Sequence, residues 1–164
     1  MSRYALTHVP DPALLRELKT LVAQDRATTA LLLAHLAEVD ARRLYAPAGH
    51  PSMFAYCVAE LHFSEDAAFR RIRAARTARQ YPVVFTMVAD GRLHLSAVLQ
   101  LTPYLTAENA EELLATAAHR NRVGLEQLLA ERFPRPDLPE RIDGHVPSPA
   151  GRQLALAPVG TAGA

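Results

Sequence analysis

The chain has 164 residues, enough for one hydrophobic core and too few for two domains of ordinary size. Its 18 basic and 17 acidic side chains leave a formal charge of +1, so overall charge drives it toward neither nucleic acid nor anionic lipid, and any such affinity has to come from a local cluster. Ala and Leu dominate an apolar content of 49%, with β-branched residues scarce, which predicts an all-α fold.

Of the basic residues only Lys19 is lysine, a bias that a GC-rich gene would also produce. The single cysteine, Cys57, has no internal disulfide partner and no CxxC companion for a metal, and is expected as a small buried apolar residue in a reducing compartment. The opening MSRYALTHVPDPALL lacks the apolar core of a signal peptide, and no segment nears the ~18 uninterrupted apolar residues of a membrane span. A cytoplasmic protein with no membrane partner is expected.

Residues 1–10 are expected to be a flexible lead-in. Asp11 and Pro12 suit a helix start, and Leu14, Leu15, Leu18, Leu21 and Val22 then recur at helical spacing. A second helix, from about Ala27 to Tyr45, carries Ala30, Leu33, Leu36, Ala37 and Leu44 and is expected to be central. Pro47 to Pro51 break the chain, and Ser52 caps a short helix with Phe54, Tyr56, Cys57, Val58 and Leu61. Ser64 opens the next helix, with Glu65 and Asp66 complementing its dipole, and Pro82 closes it.

Val83 to Ala89 form a short apolar helix that stops at Asp90 and Gly91. Ser96 is the expected cap for Ala97 to Leu101, Thr106 opens a helix through Glu111, Leu113, Leu114 and Ala117, and a last helix runs from Val123 to Phe133. From Pro134 the composition changes: half of the twelve prolines fall there and no aromatic follows Phe133. The expected organisation is therefore an all-helical domain over 11–133 with about eight short helices, a helix-turn-helix-like unit near 53–80, and a disordered Pro/Gly-rich tail or linker over 134–164.

The helix from Ser64 to Gln80 carries the chemistry. At 100° per residue, Ala68, Phe69, Ile72 and Ala75 share one arc, Arg70, Arg71 and Arg73 flank the opposite face, and Arg76 and Arg79 turn back toward the apolar side in the last turns. Arginine's planar fork can hold a phosphate or a guanine edge through two parallel hydrogen bonds. A short helix, a tight break and a second helix is also the arrangement that presents a recognition helix to the major groove. The expected DNA contacts are Arg70, Arg71 and Arg73, with Arg76 and Arg79 at the rim and Ser64 and His62 at the turn.

The segment VAELHFSEDAAFRRIRAARTARQYPVVFTMVADGRLHLSAVLQL resembles the helix-turn-helix region of ParB/KorB-type partition proteins, over roughly residues 54–101. Two departures stand out: His62 occupies the usual turn glycine, and Phe69 and Ile72 come one residue late. Over residues 28–136 the chain is similar to the helical region that precedes an HNH nuclease domain in many bacterial proteins. That resemblance implies DNA association.

The HNH centre itself is missing. The seven histidines, His8, His35, His50, His62, His94, His119 and His145, are scattered singly, and His119-Arg120-Asn121 has the letters of the motif without its partners. There is no Gly-rich phosphate loop and no GxSxG, and Glu111 with Glu112 suits a solvated helix face. No enzyme activity, metal or cofactor is expected. The leading expectation is a non-catalytic domain that binds duplex DNA, nucleoid-associated in that case. The alternatives are a helical interaction or homodimerisation module, and an inactive remnant of a truncated HNH-family protein.

Overall fold

A computed structural model of the chain describes residues 3–135. Helix α1 spans Asp11–Ala41, α2 Met53–Ala59, α3 Glu65–Gln80, α4 Val83–Ala89, α5 Leu95–Leu101, α6 Ala110–Ala117 and α7 Arg122–Arg132, with a 3₁₀ turn at Thr102–Tyr104. The fold is all-α, and among the described residues there is no strand. The expected Pro/Gly-rich tail lies, beyond Arg135, outside the described residues.

The two helices expected between Asp11 and Tyr45 are one helix of 31 residues. Nothing between Val22 and Ala27 stops it: the linking Ala-Gln-Asp-Arg contains neither glycine nor proline, and each residue adds its intrahelical hydrogen bond at little cost. It ends sooner than expected because Arg43 turns left-handed at φ 54° and the Leu44 N–H closes on the Val39 carbonyl at 3.1 Å. Only its second half reaches the core, through Ala30, Leu33, Leu36 and Ala37.

Helix α3 holds the centre in place of the segment expected there, packing against α1, α2, α4 and α5. It buries Ala68, Ile72, Ala74, Ala75, Thr77 and Ala78. Four alanines on that surface let neighbouring helices approach from several sides. Thr77 is the buried polar member: its hydroxyl donates to the Arg73 carbonyl at 3.0 Å and meets the Thr102 hydroxyl at 2.8 Å, which ties α3 to the end of α5. Cys57 is fully buried, and burial, with Asp40 adding to it, pushes its thiol pKa up.

The caps follow local chemistry. Ser52 and Ser64 accept hydrogen bonds from the N–H groups of Ala55 and Ala67, as expected. At α5 the cap is His94 in place of Ser96: the imidazole Nδ1 accepts from the Ala97 N–H at 3.1 Å, and the Ser96 hydroxyl lies 2.7 Å from the same nitrogen. Before α6, Thr106 and Asn109 cap each other reciprocally. Asn121 of the His-Arg-Asn triplet caps α7 through Gly124, at 2.8 Å.

Candidate nucleic-acid interface

Helices α2 and α3 are joined by a break of five residues, Glu60 to Ser64. The Phe63 N–H returns to the Cys57 carbonyl at 3.1 Å, and His62 between them takes a left-handed backbone at φ 54°. That conformation is the one a turn glycine would adopt without Cβ strain. The turn sets Phe63 against α3, and the Ser64 cap fixes where α3 begins.

The outward face of α3 differs from the expected one. Phe69, placed on the core arc by the helical wheel, is 52% exposed. Arg71, placed outward, is half-buried, with its guanidinium carbon 5.1 Å from the centre of the Phe63 ring. Helices on several sides of α3 widen its buried arc past the stripe that Phe69 and Ile72 suggest, so the exposed stripe falls on Asp66, Phe69, Arg73, Arg76 and Gln80. Arg70 flanks this stripe, 3.7 Å from Asp66 one turn earlier. Arg73 lies over the exposed Phe69 ring at 5.4 Å and has no carboxylate partner among the described residues.

Arg76 and Arg79 are engaged with α1. Arg76 grips Asp40 with two hydrogen bonds, Nε to Oδ2 at 2.7 Å and Nη2 to Oδ1 at 3.2 Å, and these raise its already high pKa. Arg79 donates to Glu38 at 2.7 Å. That bond, joined by one from Arg42, holds the Glu38 carboxyl below its usual range. Both arginines are thus neutralised by carboxylates that sequence spacing does not bring near them.

Beside the stripe, Phe54 of α2, Phe69 and Arg73 line a cleft of about 270 Å³ with Ser52 at its edge. The His62 side chain is exposed at the turn, and the Ser64 hydroxyl oxygen is occupied by the cap. The face therefore gathers Asp66, Phe69, Arg70 and Arg73, with His62 near its start. Arg71 is directed elsewhere: two residues before Arg73, it stands about 200° around the helix.

Among the described residues no three His, Cys, Asp or Glu side chains cluster closely enough to hold a metal ion. No described helix is long and apolar enough to cross a membrane. No family model matches the chain, nor does any curated protein or solved structure.

Proposed function

We propose that the domain binds duplex DNA through the outward face of α3, without catalysing a reaction. The observation that carries this reading is Arg73: a guanidinium with no carboxylate partner, lying on an exposed aromatic ring within the first three turns of a helix that follows a short helix and a tight turn. Recognition helices contact base edges through their N-terminal turns. Arg70 and Arg73 can meet phosphates or guanine edges, Phe69 can lie against a thymine methyl, and Asp66 can accept from a cytosine amino group.

On this reading Arg76 and Arg79 are positioning residues that hold α3 against α1, and Arg71 contributes nothing to the DNA face. The resemblance read in the sequence to the helical region ahead of HNH nucleases implies DNA association, and a chain bound to DNA would sit on the nucleoid. Fluorescence anisotropy of the protein against duplex DNA, with an Arg70→Glu/Arg73→Glu variant alongside, tests the reading. Salt-sensitive binding that the variant loses supports it, and binding that the variant keeps removes α3 as the contact.

A second reading, self-association, is favoured by one specific observation. The first half of α1 carries Leu15, Leu18, Leu21 and Val22 along one side, all exposed. A helix stripe of this kind is the usual seam of a helix pair. The two readings are compatible, since helix-turn-helix readers commonly bind as dimers.

A further inference from the structure

Among the described residues, Arg42, Arg70, Arg76, Arg79, Arg92, Arg122 and Arg132 each have a carboxylate close by. Arg26 and Arg71 line the same cavity and, among the described residues, pair with none. The Nε of Arg71 is buried without a hydrogen-bond acceptor, its guanidinium held in place on the Phe63 ring. Buried donors in native structures are generally satisfied, and a guanidinium left open toward a cavity is the kind that a ligand completes.

Arg26, an exposed side chain, borders the cavity from the other side. Its guanidinium lies flat on Gly91, so close that a Cβ there would stand 2.6 Å from Nη1 and 2.7 Å from Cζ. The glycine, at φ 81°, both makes the turn after α4 and leaves room for the guanidinium plane. His94 borders the cavity as well. Its Nδ1 accepts from the Ala97 N–H, so the neutral ring carries its proton on Nε2 and is a donor there. The cavity measures about 320 Å³, at the small end of the ~300–1,000 Å³ range of ligand sites.

We propose that this cavity between α1, α3 and the turn after α4 binds a phosphate group, through the forks of Arg26 and Arg71 with His94 at the margin. Planar guanidinium groups match the tetrahedral oxyanion with paired N–H donors. Asp25 also lines the cavity and is the acidic group there, so it weakens the site. The site stands on the side of α3 turned away from Arg73, and does not depend on DNA binding at that face.

The test is calorimetric titration of the full chain with inorganic phosphate in chloride buffer at constant ionic strength, repeated with a nucleoside monophosphate. Arg26→Ala alters an exposed side chain that no described partner needs, and Asp25→Asn removes the opposing charge without changing shape. The expected result is saturable phosphate binding, at least about tenfold weaker in Arg26→Ala and tighter in Asp25→Asn. Equal affinity for the two probes assigns the site to the phosphate alone, and tighter mononucleotide binding assigns it to a phosphate ester. No saturable binding of either probe, or binding that both variants leave unchanged, overturns the proposal.

Discussion

Arg76 and Asp40 form a two-pronged ion pair across α3 and α1, with the carboxylate side chain only 17% exposed. The pair spans 36 residues of sequence and joins the helix that carries the candidate DNA face to the longest helix in the fold. Replacing Asp40 by Asn leaves the shape and removes the charge. Because Arg76 itself is well exposed, the expected loss is about 1 kcal/mol, read from the midpoint of urea unfolding. A loss near zero would mean that the Arg76–Asp40 pair adds nothing to the holding of α1 against α3.

The same carboxylates restrain Arg76 and Arg79. A Glu38→Gln/Asp40→Asn variant frees both guanidinium groups beside Arg73 and is expected to bind duplex DNA more tightly with a steeper salt dependence, although its fold is weaker. Unchanged affinity and slope would place the DNA contact away from α3.

His62 separates stability from function. Its left-handed backbone at φ 54° costs a residue with a Cβ up to about 1 kcal/mol relative to glycine. His62→Gly is therefore expected to raise the thermal midpoint by a small amount. If the imidazole also meets a phosphate, the same variant binds DNA less tightly while being more stable, a pattern that a purely structural residue does not produce.

Gly91 should tolerate a side chain poorly. Gly91→Ala meets a positive φ and is expected to destabilise the fold by about 1 kcal/mol. The Arg26 guanidinium, at the end of a flexible exposed side chain, can swing aside, so adding Arg26→Ala should recover little of the loss in thermal unfolding. Full recovery would mean that the turn carries no strain.

The acid side of the stability profile follows from carboxylates with lowered pKa, among them Glu38 and Asp90. The Arg79 and Arg42 hydrogen bonds lower the pKa of Glu38, and the Arg92 hydrogen bond lowers that of Asp90. A carboxylate with its pKa depressed on folding stabilises the native state above the unfolded pKa. That contribution is lost as pH falls through the folded value. Urea midpoints should therefore drop below about pH 4, and the drop should be shallower in Glu38→Gln/Asp90→Asn. Both groups are solvent-facing, so the difference is small.

Much of this architecture was legible in local sequence. The helical class, the serine caps at Ser52 and Ser64, the stop at Gly91 and the burial of Cys57 all depend on neighbours a few residues away. The single α1 was harder to see, because an exposed leucine stripe and a buried one look alike until the neighbouring helices are placed. His94 displaced Ser96 as a cap because an imidazole nitrogen can do the same work two residues earlier.

The candidate site was only partly legible. Sequence located α3 and its arginines, but the faces they occupy depend on which helices surround α3, and the partners of Arg76 and Arg79 lie 36 and 41 residues away. A wheel drawn on α3 alone cannot contain that information. It put Phe69 inside and Arg71 outside, and the pairing of Arg71 with Arg26 across a cavity had no signal in spacing.

The most direct measurement is the anisotropy titration at ~50 and ~200 mM salt, comparing the natural protein with Arg70→Glu/Arg73→Glu and checking by circular dichroism that the variant is folded. Binding that weakens with salt and disappears in the variant is the predicted result. Binding of equal strength in both proteins, or none to duplex DNA at either salt, would contradict the claim that α3 presents a DNA-contacting face.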